Sequence, residues 1–146
     1  MRVAGTVPVS LVNGEGVRYV VFVQGCGHHC KGCHNLETWD FDGGSEMSTD
    51  EIAADFKRRK LLDGITLSGG DPFYQQEECL NLLSQLPEGT NVWIYTGFEY
   101  SEIKDTELAK AANVIVSGRY VEALRCEGKL YGSSNQEIHR RDDHAD

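Results

Sequence analysis

Residues 17–35 read VRYVVFVQGCGHHCKGCHN. Val17 to Gln24 is an apolar, β-branched run of the kind that forms a strand buried on both faces. Gly25 to Asn35 follows without a break and places Cys26, Cys30 and Cys33 within eight residues, spaced C-x3-C-x2-C. A loop that short can aim three thiolates at one centre, and thiolates are the soft ligands that hold iron–sulfur clusters and zinc. A fourth cysteine would close either kind of site. Three leave a coordination position open, which is where a metal centre meets a substrate. His28, His29 and His34 stand close by, and Cys3His is a closed structural zinc set, so the spacing alone allows a reactive cluster or a zinc clip. The loop's place at the C-terminal end of a buried strand is where α/β folds put their chemistry.

On either side of this stretch the chain alternates. Residues 1–16 are mixed and end in the turn-like Asn13-Gly14-Glu15-Gly16, and Asp40 to Met47 is a Gly-rich loop. Ser48 followed by Glu51 is a capping-box pattern, with Ile52, Ala53 and Phe56 on one helical face through about Lys60. Residues 63–68 return as a short strand running into Ser68-Gly69-Gly70-Asp71-Pro72. A second helix is expected from about Tyr74 to Leu86, with Cys79, Leu80, Leu83 and Leu86 inward. Val92 to Tyr95 reads as a third strand ending at Thr96-Gly97. Ser101 to Ala112 reads as a weaker helix, and Val114 to Val116 as a fourth strand ending at Ser117-Gly118. Such alternation means parallel strands joined by right-handed crossovers. Four units are too few to close an eight-stranded barrel. The expected fold is therefore α/β, an open partial (βα) barrel of about four parallel strands with helices on the outer face. Residues 1–146 form one domain, of which 119–146 is a C-terminal extension. Within it, Leu130 to Ile138 reads as a loop that folds back or meets a partner.

Composition narrows the function classes. At 146 residues the chain is large enough for a real core without disulfides. Fourteen Lys plus Arg against 23 Asp plus Glu give a formal charge of −9, a field that repels phosphate backbones and argues against nucleic acid as the main partner. The longest apolar run, Tyr19 to Val23, is far too short to span a bilayer, and no signal peptide is read, so the expected compartment is the cytoplasm. Five cysteines with three clustered suggest metal rather than disulfides there.

At Gly69-Gly70-Asp71 glycines let backbone approach a ligand and a carboxylate can accept from an ammonium group, although a cap for the second helix explains the same residues. Thr96-Gly97 and Ser117-Gly118 matter through recurrence, because small or polar residues end every predicted strand on the edge that carries the cysteines. Cys79 reads as core filler and Cys126 as an incidental thiol. Trp39, Trp93 and Tyr95 read as packing, and His139 to Asp146 as a solvated end. Nothing supports a Ser-His-Asp or paired-carboxylate mechanism.

The C-x3-C-x2-C loop after a first strand, followed by a Gly-Gly-acid turn after the second, resembles the radical S-adenosylmethionine superfamily. VNGEGVRYVVFVQGC at 12–26, CKGCHN at 30–35, LSGGDPF at 67–73, VWIYTGF at 92–98, VIVSGRY at 114–120 and YGSSNQ at 131–136 are similar to the activating enzymes of anaerobic ribonucleoside-triphosphate reductase. The resemblance implies a [4Fe-4S] cluster held by Cys26, Cys30 and Cys33, with S-adenosylmethionine on the fourth iron. It implies Gly69, Gly70 and Asp71 along the methionine amino group, and adds Ser68, Thr96 and Asn35 to the cofactor-binding candidates. It implies a 5′-deoxyadenosyl radical that takes hydrogen from a glycine of the large reductase subunit, with a flavodoxin or ferredoxin-like electron donor. Activation of another glycyl-radical enzyme, of the pyruvate formate-lyase type, stands as the alternative, as does a non-catalytic zinc module. Two positions depart from the pattern. Gly32 stands where the superfamily often has an aromatic ring, and Ser117 where relatives often carry aspartate.

Overall fold

The computed structural model describes residues 1–27, 43–126 and 131–140. Its strands are β1 (Arg2–Ser10), β2 (Arg18–Val23), β3 (Ser45–Glu46), β4 (Gly64–Gly69), β5 (Asn91–Tyr95), β6 (Val114–Ser117) and β7 (Glu137–Arg140). They make one open seven-stranded sheet in the order β3-β1-β2-β4-β5-β6-β7. The strands expected from the sequence, β2, β4, β5 and β6, run parallel as adjacent neighbours. Three antiparallel strands extend this set beyond expectation. β1 pairs with β2 and β3, and β7 pairs with β6. Residues 1–16 are thus mainly strand, and His139 and Arg140 belong to β7 rather than to a solvated end.

Among the described residues the α-helices are α1 (Thr49–Arg58) between β3 and β4, α2 (Gln76–Ser84) between β4 and β5, and α3 (Tyr100–Ile103) and α4 (Glu107–Ala111) between β5 and β6. Ser48 caps α1 as its pattern predicts, its hydroxyl accepting from the Glu51 N–H at 3.0 Å. α2 is shorter than expected. Asp71 and Pro72 start the segment as a 3₁₀ turn over Pro72–Gln75, and Pro87, just beyond Leu86, cannot continue a helix. Inside α2, Cys79 and Leu82 are fully buried, whereas Leu80 and Leu83 only flank the core. The expected helix over Ser101–Ala112 is two short ones. Thr106 accepts from the Ala109 N–H at 3.2 Å and starts a new helix, because a Thr side chain that bonds local backbone favours a cap over a helix interior.

The sheet's two faces are packed differently, as strand alternation requires. Tyr19, Val21, Val23, Ile65, Leu67, Val92, Ile94 and Ile115 point to the helical layer and meet Ile52, Phe56, Cys79, Leu82 and Leu108. The opposite face carries Trp93, Val114 and Val116, with Tyr95, Tyr131 and Ile138 against them. Trp93 and Tyr95 are therefore packing residues, and Cys79 is core.

The end of the sheet opposite the cysteines is closed by Arg18. Its side chain donates to Thr66 Oγ1 at 2.7 Å, Glu15 O at 2.9 Å, Ile65 O at 2.8 Å and Asn91 O at 3.0 Å, and stands 5.6 Å from the Trp93 ring. Burial lowers its pKa to about 10.

Candidate metal centre and ligand rim

β2 delivers its C-terminal end to Gln24, Gly25 and Cys26. The Cys26 thiol is free of any disulfide and 8% exposed. Cys30, Cys33 and Asn35 lie outside the described residues, as do Gly32, Trp39 and His28, His29 and His34. A buried cysteine at a parallel-strand terminus is a suitable first ligand for a soft metal centre, and the two further cysteines follow within the next seven residues of sequence. The donor set fits an iron–sulfur cluster with one open corner.

The stem of the cysteine loop is bonded to the end of β4. Gly70 N–H donates to Val23 O at 2.8 Å and Asp71 N–H to Gly25 O at 2.9 Å. Gln75 Nε2 reaches Gln24 O at 2.9 Å and Arg2 O at 2.8 Å. Both glycines are required by this approach. Gly69 has φ +101°, and a Cβ there would lie 2.5 Å from Val23 N and O, while one on Gly70 would run into Gly25 O. Ser68, just before them, is 8% exposed.

Asp71 has no exposed surface. It caps the 3₁₀ turn by accepting from the Phe73 N–H at 3.0 Å. The Thr96 hydroxyl lies 2.9 and 2.8 Å from its two oxygens, and the Gly97 N–H donates to it at 2.8 Å. The carboxylate thus ties the end of β4 to the end of β5. From Thr96 the bonds run on: Phe98 N–H donates to Thr96 Oγ1 at 3.1 Å, and Gly118 N–H to Phe98 O at 2.9 Å. Side chains and backbone together link the C-terminal ends of β4, β5 and β6 in one chain of hydrogen bonds. Ser117, at the end of β6, is buried, and its hydroxyl oxygen has no hydrogen-bond partner among the described residues.

Tyr74 stands where these parts meet. Its ring is 5.4 Å from that of Phe98 and is 41% exposed. The Gly27 N–H donates to its hydroxyl, so close that a Cβ on Gly27 would lie 2.6 Å from that oxygen. Partial burial, then the charges of Asp71 and Cys26, push the phenol pKa up, and the Gly27 N–H and the Arg119 guanidinium oppose them. Tyr74, Phe98 and Arg119 therefore belong to the same rim as Cys26 and Asp71. The sequence did not single them out, since the only signal for Tyr74 is its place three residues after Asp71.

The profile of the 4Fe-4S single cluster domain family matches residues 12–139. Three relatives carry the name anaerobic ribonucleoside-triphosphate reductase-activating protein. The protein of Enterobacteria phage T4 is 39% identical, over 90% of this chain and 88% of its own length. That of Salmonella typhi is 35% identical over 95% and 98%, and that of Escherichia coli strain K12 is 35% identical over 90% and 94%.

Proposed function

Because the chain belongs to the family of anaerobic ribonucleoside-triphosphate reductase-activating proteins, we infer that it installs a glycyl radical on the large subunit of such a reductase, as a radical S-adenosylmethionine enzyme. When bound, the [4Fe-4S] cluster supplies the electron that cleaves the sulfonium of S-adenosylmethionine and so the hydrogen-abstracting power the reaction needs. Cys26, Cys30 and Cys33 would hold the cluster. The backbone at Gly69 and Gly70, beside Ser68, offers the edge along which the methionine amino group lies. Asp71 serves that edge by fixing it: its carboxylate is buried and engaged by Thr96, Phe73 and Gly97, so it reaches the ligand through the backbone it holds. Thr96 supports the same rim from β5, and Asn35 comes from the cysteine loop. The open sheet is read as the partial barrel of the superfamily, with residues 119–146 as an extension of the same domain. Its open side admits a loop of the partner protein, which then completes the water-excluding wall. A flavodoxin or ferredoxin-like protein is the expected electron donor.

The observation that carries this reading is the buried Cys26 at the end of β2, its loop stem held against the Gly69-Gly70-Asp71 turn by two backbone hydrogen bonds. Anaerobically purified protein should be brown, with about four irons per cluster, and Cys30→Ala should lose them. Reduced protein mixed with S-adenosylmethionine and the reductase should give a glycine-centred electron paramagnetic resonance signal. A colourless protein with one zinc, or a signal only with a formate-lyase-type partner, would overturn the assignment.

A further inference from the structure

The cysteine loop leaves β2 along a row of hydrogen bonds that steps two residues at a time. Val23 O accepts from the Gly70 N–H at 2.8 Å, and Gly25 O from the Asp71 N–H at 2.9 Å. The backbone beyond Asp71 cannot continue the row. Pro72 has no N–H, the Phe73 N–H is taken by the Asp71 carboxylate at 3.0 Å, and the Tyr74 N–H by Asp71 O at 3.1 Å. A side chain continues it instead. The Tyr74 hydroxyl accepts from the Gly27 N–H and stands so close that a Cβ on Gly27 would lie 2.6 Å from the oxygen and 3.1 Å from the ring carbon that bears it. Tyr74 can act as a fixed acceptor because its ring is wedged. It packs on Phe98 at 5.4 Å, Phe98 packs edge-on against Phe73 at 6.4 Å, and the Phe98 backbone is bonded to Thr96 and Gly118. Cys26 therefore lies between two held neighbours, Gly25 through its carbonyl and Gly27 through its amide, on the way to Cys30 and Cys33.

We propose that Tyr74 is a positioning residue for the metal centre: its hydroxyl holds the Gly27 amide and so fixes the backbone on both sides of Cys26 before the metal arrives. The inference rests on the reading given above, in which Cys26 is one of three cluster ligands. A ligand whose backbone is already oriented has little freedom left to lose, so closing the loop on a cluster costs less. The hydroxyl has a second effect. While the Gly27 N–H is committed to the phenol oxygen, it does not donate to sulfur. Gly27 is exposed, so once released its N–H either turns to a sulfur of the centre or admits water beside Cys26. Hydrogen bonds to sulfur and solvent exposure both set the potential of such a centre, and both favour its more negative, reduced state.

The test compares cluster-loaded, full-length wild type with Tyr74→Phe, which keeps the ring on Phe98 and removes one oxygen. Under anaerobic conditions, iron release to a chelator should be about two- to tenfold faster in the variant, the effect of losing one hydrogen bond. The midpoint potential of the cluster, from a dye-mediated titration followed by electron paramagnetic resonance, should move to more positive values. A general loss of stability would speed iron release and leave the potential where it is. Gly27→Ala drives a methyl group against the same hydroxyl, so it should move both readouts in the same direction. The double variant should be no worse than the worse single one, because both break one contact. A wild-type potential or wild-type iron release in Tyr74→Phe, or additive effects in the double variant, would overturn the positioning role. Wild-type protein that takes up one zinc and no cluster would overturn the functional reading instead.

Discussion

Replacing Asp71 by alanine removes one acceptor from three donors at once: the Phe73 N–H, the Thr96 hydroxyl and the Gly97 N–H. The first two bonds are buried, and the third is partly so. An orphaned buried donor costs about 1–3 kcal/mol. The Gly97 N–H can find water, so the sum is set mainly by the other two and comes to about 3–5 kcal/mol. Against a domain stability of about 5–15 kcal/mol, Asp71→Ala should still fold at room temperature. For a chain of this length each kcal/mol moves the midpoint by about 2–4 °C, so a fall of about 10 °C is expected. Asp71→Asn keeps one acceptor oxygen and turns an amide toward groups that also donate, so it should fall about half as far. Thermal and urea unfolding of metal-free protein is the right assay, since the cluster then contributes nothing. In a double-mutant cycle Thr96→Val should cost less in the Asp71→Ala background than in wild type, because the bond between the two side chains is lost only once, while the Phe98 N–H loses its acceptor in either background. A loss below about 1 kcal/mol for Asp71→Ala, or full additivity with Thr96→Val, would refute the claim that this carboxylate holds the rim.

Gly70→Ala would place a methyl group on Gly25 O. The stem of the cysteine loop must then move, and iron content after anaerobic reconstitution should drop well below that of wild type while far-ultraviolet circular dichroism stays unchanged; full iron loading would show that the close approach is incidental. Cys79→Ala should leave iron content unchanged, because Cys79 sits in the helical core. It should also alter the alkaline limb of stability. Burial raises the Cys79 pKa from 9.0 to about 12, so its contribution is complete below pH 9 and is lost as the pH rises from 9 toward 12. The slope from one such proton approaches about 1.4 kcal/mol per pH unit once the unfolded thiol is ionised, and urea titrations of Cys79→Ala between pH 10 and 11 should be flatter than wild type by about that amount. Parallel curves would contradict the thiol's burial.

How much of this was legible in the sequence depends on the kind of interaction. The parallel strands were visible because buried strands carry continuous apolar runs, as Tyr19–Val23 does. The α1 cap was visible because Ser48 and Glu51 are three residues apart. β1 was not, since Gly5 and Pro8 interrupt its pattern and bulges flank its central register. β7 is only four residues long and mostly polar. The split between α3 and α4 did leave a signal, the capping residue Thr106, which periodicity across Ser101–Ala112 outweighed. Asp71-Pro72 likewise announces a cap, but nothing local says that the same carboxylate binds Thr96, 25 residues on. Arg18 stands inside the apolar run at 17–24, and nothing local says that Thr66 and three backbone carbonyls converge on it. Long-range polar pairing has no period, so the rim of the site was the part least open to reading.

That rim has a physical logic of its own. Parallel strand ends come from distant parts of the chain, and their last residues have few ladder bonds to keep them in register. A ligand site assembled there needs its parts held to within a fraction of an ångström, since a misplacement of about 1 Å can cost about a hundredfold in rate. Apolar packing cannot supply this at an edge that must stay open to a partner. Directional bonds can, and here they run from Gly25 through Asp71, Thr96 and Phe98 to Gly118 and Gln136. At the opposite end Trp93 lies between two cations, Arg18 and Arg140, each 5.6 Å from its ring, and Arg140 also bonds Glu15 at 2.6 Å. β7 therefore joins both systems, through Gln136 just before it at the rim and Arg140 at the base. A strand that sequence periodicity passes over is what couples the far end of the chain to the loop that carries the cysteines.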